Sequence, residues 1–367
     1  MTLPLLESAN IVNKTVFLRA DLDVPLKVQS YIEDDTRLVK ALPTIDFLLK
    51  KGAKVVIAGH LGRPNPVSNE SGIMNQEFSL KSIAVWFGKR FKIYDLGFKI
   101  KEMDINNFPA WQIRDDLFLL ENLRFYKGEE TNDRKFSKKL ASLADVYVND
   151  AFAMSHRNHA SIVGITKYLP YFAGFHLQKE IETLSLVMKN PERPLVVIVG
   201  GKKIETKLPL VHKMHAIADY VLVGGKIAQE SKVLLKEQHA RIIGRKSVLL
   251  VADSNTEGSD ITEQDAENFL QIIALGKTII WNGSMGIINS EKLKVKSEKF
   301  DTERGTRLIA KGIMESGAYS VVGGGDTVEF LNKLGILNKF SFASTGGGAM
   351  LSYLSGEKLP GLEALKH

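Results

Sequence analysis

Short unbroken apolar runs alternate along this chain with longer segments in which apolar residues recur every three to four positions. Runs at 15–20, 54–58, 117–120 and 145–148 in the first half, and at 195–199, 220–223, 248–251 and 278–281 in the second, read as strands buried on both faces. Two more, 318–322 and 340–343, follow near the end. The segments 35–51, 79–90, 136–144, 262–274 and 302–316 read as amphipathic helices, the first stopped by Gly52 as a left-handed cap. Continuous strands alternating with helices mean parallel sheets covered on both faces. About a dozen strands in one sheet would be unusual, so the pattern predicts an α/β chain of two doubly wound domains. A boundary falls at 170–194, where Pro170 and Gly174 precede a single amphipathic helix at 177–188. The breaker Asn190, Pro191, Glu192, Arg193, Pro194 then precedes the next strand, so that helix is expected to join and hinge the domains.

Composition narrows the ligands. The chain has 367 residues, 44% hydrophobic, enough for two separate cores. A formal charge of +7 and a pI near 9.2 favour anionic ligands. The long basic runs and aromatic-basic interleaving of a nucleic-acid surface are missing, so small anionic metabolites fit better. Cysteine is absent, which excludes disulfides, thiolate metal sites and cysteine nucleophiles and agrees with a cytoplasmic protein. No stretch has the apolar length of a membrane span, and residues 1–16 do not read as a secretion signal.

The chemistry gathers where strands end, as it does in open α/β sheets. In the first half these ends carry Arg19, Asp21 and Asp23, then His60 and Arg63, then Arg124, then His156, Arg157 and His159. Any one of them alone suits a surface ion pair. Together they would form a basic bowl for a small, multiply charged anion, because the arginine fork matches carboxylate and phosphate oxygens. Strand ends in the second half carry glycine instead: Gly200 and Gly201, Gly224 and Gly225, Asn282 and Gly283. Two triplets follow, Gly323, Gly324 and Gly325 running into Asp326 and Thr327, and Gly346, Gly347 and Gly348 after Ser344 and Thr345. Glycines between a strand and a helix serve an ordinary tight turn or expose backbone N–H groups to phosphate. Two such loops favour the phosphate reading. Asp326 suits either Mg²⁺ between phosphates or a helix N-cap. Lys203 and Lys207, four apart, would share a helix face and invite an anion. The Walker A and dinucleotide-binding fingerprints are absent. His156/His159 and His212/His215 have no third ligand nearby in sequence and read as surface or core residues rather than metal ligands.

In order, RADLDVPL (19–26), DDTRLVKALPTI (34–45), GHLGRP (59–64), LENLRF (120–125), VNDAFAMSHRNHAS (148–161), GGKKIETK (200–207), WNGSMG (281–286), GGGDT (323–327), STGGGA (344–349) and LPGLEAL (359–365) make the whole chain resemble phosphoglycerate kinases. The resemblance implies two Rossmann-like, doubly wound parallel-sheet domains joined by a hinge helix. Its bounds would be 1–173 for a 3-phosphoglycerate domain, 174–190 for the hinge, 191–355 for a nucleotide domain and 356–367 for a tail returning to the first domain. It implies 3-phosphoglycerate or 1,3-bisphosphoglycerate at Asp21, Asp23, Arg37, His60, Arg63, Arg124 and Arg157. It places ADP or ATP, with Mg²⁺ on Asp326, at Gly200, Gly201, Lys203, Lys207, Gly225, Asn282, Asn289, Gly323, Gly324, Gly325, Asp326 and Thr327. Arg37, Lys203 and the amides of Gly325, Gly347 and Gly348 would face the transferring phosphoryl group. Domain closure would exclude water from it. A cytoplasmic monomer with no nucleic-acid or membrane partner is expected.

Four departures from the family pattern stand out. Asp23 replaces a usual Asn and adds a carboxylate beside an anionic substrate. GGKKIETK adds Lys202 and carries Glu205 and Thr206 in place of Ser and Asp. Ser284 stands for a proline, and Asn289 for a ribose-binding Glu. These keep open a catalytically weakened nucleotide-binding homologue, and a NAD-dependent oxidoreductase is a more distant alternative.

Overall fold

A computed structural model describes residues 3–27, 31–64, 76–92, 99–229, 231–232, 247–288 and 301–366. The chain divides into two compact units. One runs to Ile181 and is taken up again from Lys358; the other is Glu182–Glu357.

The first unit contains β1 (Thr15–Arg19), β2 (Leu26–Lys27), β3 (Tyr31–Ile32), β4 (Lys54–Ala58), β5 (Lys101–Asp104), β6 (Pro109–Arg114), β7 (Leu117–Leu120), β8 (Val146–Asn149) and β9 (Tyr171–Ala173). Seven of them form a sheet in the order β5-β6-β7-β4-β1-β8-β9, while β2 and β3 pair antiparallel. From β7 to β9 the sheet is parallel, and its inner strands are continuous apolar runs. Helices α1 (Thr36–Lys50) and α2 (Lys81–Arg90) place Leu38, Leu42, Ile45, Leu48, Ile83 and Phe87 in one core with Val16, Leu18, Val55 and Ile57. Gly52 follows α1 at φ 75°, the left-handed conformation expected of it. The sheet differs from the pattern reading at one edge, where β5 and β6 add antiparallel beyond β7. Every residue of β5 is exposed, so no apolar run marks it. Helices α3 (Lys127–Glu130) and α4 (Arg134–Ala141) follow β7, and α5 (Phe175–Lys189) carries the chain out of this unit.

The second unit contains β10 (Leu195–Val199), β11 (Tyr220–Val223), β12 (Val248–Val251), β13 (Thr278–Asn282), β14 (Tyr319–Gly323) and β15 (Phe342–Ala343), all parallel in the order β12-β11-β10-β13-β14-β15. Its helices are α6 (Ile204–Ile217), α7 (Glu263–Ile273), α8 (Arg304–Ser316), α9 (Gly325–Lys333) and α10 (Gly348–Leu354). Winding runs outward from β10 to β12, then restarts at β13 on the other side of β10. That reversal opens a crevice beyond the carboxyl ends of β10 and β13, where open α/β sheets take ligands. In the first unit the equivalent reversal lies between β1 and β8.

The last helix, α11 (Pro360–Glu363), belongs to the first unit. The Gly361 amide donates to the Ser155 carbonyl at 2.9 Å. A side chain at Gly361 would press on Ile162 Cγ2 at 2.8 Å and Ser155 Cα at 3.0 Å, so glycine lets the tail lie this close. Among the described residues no helix is long and apolar enough to cross a membrane.

Candidate functional site

The first unit gathers charge beside the β1/β8 reversal. Arg19 ends β1 fully buried. Its Nε donates to Ser161 Oγ at 2.9 Å, Nη1 to the Ala20 carbonyl at 2.5 Å, and Nη2 meets His60 Nδ1 at 3.2 Å. A guanidinium can only donate, so His60 Nδ1 accepts and the imidazole proton sits on Nε2. Nε2 lies 3.7 Å from Asp23 Oδ2. Burial, aided by the charges of Arg19 and Arg124, pushes the His60 pKa down to about 4 against the pull of Asp23, so the ring is neutral at neutral pH.

Asp23 Oδ1 accepts the Gly62 amide at 2.8 Å, and Oδ2 is 3.8 Å from Arg37 Nη1, which also donates to the Asp23 carbonyl. Burial acts to raise the Asp23 carboxyl, but His60, the Gly62 amide and Arg37 outweigh it and hold the group well below the usual carboxylate range. The added carboxylate therefore sits among donors. Arg124 Nη1 donates to the Gly62 carbonyl at 2.6 Å, and its Nε is 3.0 Å from Glu130 Oε1. Arg63 is exposed on the same turn, and its charge is felt at Arg124. Asp21 is buried, accepts the Ala153 amide at 2.9 Å, and has its pKa raised by burial against the Arg37 charge. Thus Asp23, Arg37, His60, Arg63 and Arg124 converge around Gly62, while Asp21 ties the end of β1 to the segment after β8. Arg157 is exposed on that segment, and among the described residues no hydrogen bond or ion pair joins its side chain to the cluster.

In the second unit the crevice between β10 and β13 is closed from below by a lysine. The Gly200 amide donates to the Asn282 carbonyl at 2.9 Å. Lys207 Nζ donates to the Gly200 carbonyl and, at 3.3 Å, to that of Asn282. Burial pushes this ammonium down to about 8; the Asp326 charge opposes the shift and Lys203 adds to it. Lys203 and Lys207 do not share an exposed helix face as the spacing suggested. Lys203 precedes α6 with non-helical backbone and is exposed, whereas Lys207 is buried one turn in.

Around them Gly201, Gly225, Gly283 and Gly324 have φ of 93°, 67°, 97° and 94°. Side chains would be strained at all four and would collide at Gly201, Gly225 and Gly283: a Cβ on Gly225 would lie 2.7 Å from the Gly201 nitrogen, and one on Gly201 2.8 Å from Lys207 Nζ. Gly323 ends β14 and Gly325 opens α9, which puts Asp326 in the exposed first turn of that helix. Thr327 Oγ1 and Asn282 Oδ1 beside this loop are buried with no hydrogen-bond partner among the described residues. Buried polar atoms are seldom left so, and a ligand's donors and acceptors would complete both. In the second triplet Ser344 Oγ accepts the Gly346 amide at 3.1 Å, Gly347 has φ of 50°, and Gly348 opens α10. A Cβ at Gly325 or Gly347 would meet nothing within 4 Å, so the backbone there is open to an incoming group. Asn289 lies outside the described residues.

Among the described residues no group of three or more His, Cys, Asp or Glu is arranged to hold a metal ion. Mg²⁺ carried by a nucleotide needs less: one or two carboxylates, with phosphates and water supplying the remaining oxygens. Exposed Asp326 fits that donor set. Sequence reasoning counted Arg19 among the basic strand ends but did not assign it to the site, and it missed the support beneath it. Ser161 Oγ donates to Glu129 Oε1 at 2.5 Å, and buried Glu129 is kept ionised by His159, Arg19 and Ser161 against the effect of burial. An arginine at the end of an otherwise apolar strand was the available signal.

Two α/β units with parallel-dominated sheets, each bearing a polar cluster at its strand-order reversal, place the chain in the class of two-domain proteins with Rossmann-like sheets. A family model described as phosphoglycerate kinase matches residues 6–248 and 230–357. The chain is 37% identical over 405 aligned residues to the phosphoglycerate kinase of Leptospira biflexa, covering 100% of this chain and 98% of that one. It is 36% identical to the cytosolic phosphoglycerate kinase of wheat, Triticum aestivum, over 98% of this chain and 97% of that one. A solved structure of phosphoglycerate kinase from Coxiella burnetii superposes with a TM-score of 0.79 at 31% identity, covering 99% of both chains. The chain belongs to the phosphoglycerate kinase family.

Proposed function

We propose that this chain catalyses the reaction its family is named for, reversible phosphoryl transfer between 1,3-bisphosphoglycerate and ADP, giving 3-phosphoglycerate and ATP in glycolysis and gluconeogenesis. The bond from the acyl oxygen to phosphorus breaks as one from the ADP β-phosphate oxygen to phosphorus forms. No general base is needed, because both competing oxygens are already anionic. Catalysis then consists of in-line positioning and compensation of charge on the equatorial oxygens.

The cluster around Gly62 takes the glycerate phosphate: Arg63, Arg124 and Arg157 bind its oxygens, and Arg37 reaches toward the group in transfer. His60, held as its Nε2–H tautomer by Arg19, orders Asp23 and Arg37 without adding charge. Gly200, Gly201, Gly225, Gly323 and Gly324 leave room for the nucleotide, with Asn282 and Thr327 supplying its missing polar partners. Lys207 carries positive charge beneath the phosphates, and Lys203 with the amides of Gly325, Gly347 and Gly348 faces the transferring group. When bound, Mg²⁺ on Asp326 would neutralise phosphate charge. The observation that carries these assignments is buried Lys207 spanning the ends of β10 and β13, beside two orphaned polar atoms and four glycines of positive φ.

Action as a cytoplasmic monomer is part of the same proposal. A coupled assay with ATP, Mg²⁺ and 3-phosphoglycerate tests it, and well-folded protein without turnover would overturn it. Nucleotide binding without transfer would instead support a weakened homologue. The ion pairing of Asp23 argues against that outcome.

A further inference from the structure

We infer that the first unit carries a second anion site, outside the kinase cluster, built for a compact phosphorylated metabolite with a free hydroxyl. The inference does not rest on the kinase reading. A cavity of about 370 Å³ is lined by Asn132, Arg134, Ser137, Gly164, Lys167 and Tyr168, none of which belongs to the cluster around Gly62.

Local sequence builds this cavity. Asn132 takes a left-handed conformation, φ 52°, after α3. Asp133 then caps α4 by accepting the Phe136 amide at 2.8 Å, which sets Arg134 at the first helical position. Opposite, the 160–164 turn brings in Gly164, where a Cβ would strike Ser137 Oγ and Asn132 Oδ1. Glycine there lets the Ser137 and Asn132 side chains close against the turn, and Lys167 and Tyr168 follow it.

The charges are unbalanced. α4 contains Arg134, Lys135, Lys138 and Lys139 and no acid. Lys139 is engaged elsewhere, donating to the Asn107 carbonyl at 3.3 Å and lying 4.3 Å from the centre of the Phe108 ring. Asp133 is committed to its cap. Arg134 and Lys167 are exposed, with no ion pair among the described residues. Two unpaired cations on one concave lining repel each other and concentrate anions between them.

Asn132 refines the ligand. Its Nδ2 donates to Asn158 Oδ1 at 2.8 Å, while its Oδ1 is buried without a partner. That oxygen needs a donor, which sulfate lacks and a hydroxyl-bearing phosphate supplies. The volume lies at the low end for small-molecule sites and suits a glycerol- or sugar-sized phosphate.

Amide chemical-shift titration of full-length protein with glycerol 3-phosphate tests this, because shifts at Arg134, Gly164 and Lys167 report the second site separately from those at Gly62, Arg63 and Arg124. Saturable shifts at the first three are expected, with affinity weakened about tenfold or more in Arg134→Gln/Lys167→Gln through loss of two charge-assisted contacts. Kinase turnover of that variant should equal wild type. Both side chains are exposed, and circular dichroism checks the fold. Sulfate should bind more weakly than glycerol 3-phosphate, and Asn132→Ala should erase that preference. No saturable shift at those amides, equal affinity in the double variant, or loss of turnover along with binding would each overturn the second site. Equal binding of sulfate would overturn its hydroxyl preference.

Discussion

Replacing Lys207 with methionine separates a structural pin from a phosphate-facing charge. The ammonium is pushed from 10.5 down to about 8, which corresponds to about 3 kcal/mol at roughly 1.4 kcal/mol per unit. The folded-state pKa of a base is lowered here, so the unfolded chain holds the proton more tightly. The cost to folding is therefore full below about pH 8 and disappears as pH rises toward 10.5. Methionine keeps the apolar stem and removes that cost, but it gives up hydrogen bonds to two carbonyls, about 1 kcal/mol each. Lys207→Met should then match wild-type stability or exceed it by about 1 kcal/mol. Hydrogen exchange of the β10 and β13 amides reads this locally, without assuming that a two-unit chain unfolds in one step. The same variant should bind ADP and ATP about tenfold or more weakly, the loss of one charged contact to phosphate. A protein destabilised by more than about 2 kcal/mol with an unchanged KM for ATP would refute the reasoning and make Lys207 a pin.

Lys203→Ala, at an exposed position before α6, should leave stability within about 0.5 kcal/mol but slow turnover by about 3 kcal/mol, as steady-state kinetics would show. Asp23→Asn keeps an acceptor for the Gly62 amide and frees Arg37 and His60 from a carboxylate, so KM for 3-phosphoglycerate should fall by about 1 kcal/mol, a few-fold; an increase would mean the carboxylate organises the site. Bound phosphate should raise the Lys207 pKa from about 8, so Mg-ADP binding near pH 8.5 should take up protons, and affinity should decline as pH rises through that region. Calorimetry in buffers of different ionisation enthalpy measures the uptake, which Lys207→Met should abolish.

Much of the fold was legible because the inner strands are buried on both faces and appear as unbroken apolar runs. β10, β11 and β13 coincide with such runs, with β13 ending one residue later, at Asn282. β5 was not legible: its Lys101, Glu102, Met103 and Asp104 are all exposed, and only pairing with β6 makes them a strand. β9 lies in what pattern alone treated as a boundary loop, because three residues carry too little periodicity. Pro209 lies inside α6 and masks the continuation of that helix, although the lysines hinted at it. At the site, glycine turns and arginine-bearing strand ends were readable because their positions follow directly from strand boundaries. The direction of a side chain was not. Lys207 turns inward onto carbonyls, and Arg19 points into the core to fix the His60 tautomer, for reasons that exist only once the strands are paired.

Amide chemical-shift mapping of the full-length protein tests the two-cluster account most directly. Mg-ADP alone should move the amides of Gly200, Gly201, Gly225, Gly283, Gly324 and Gly325, and 3-phosphoglycerate alone should move those of Gly62, Arg63 and Arg124. Mg-ADP that shifts the Gly62 group and leaves the second-unit glycines unmoved would contradict the account.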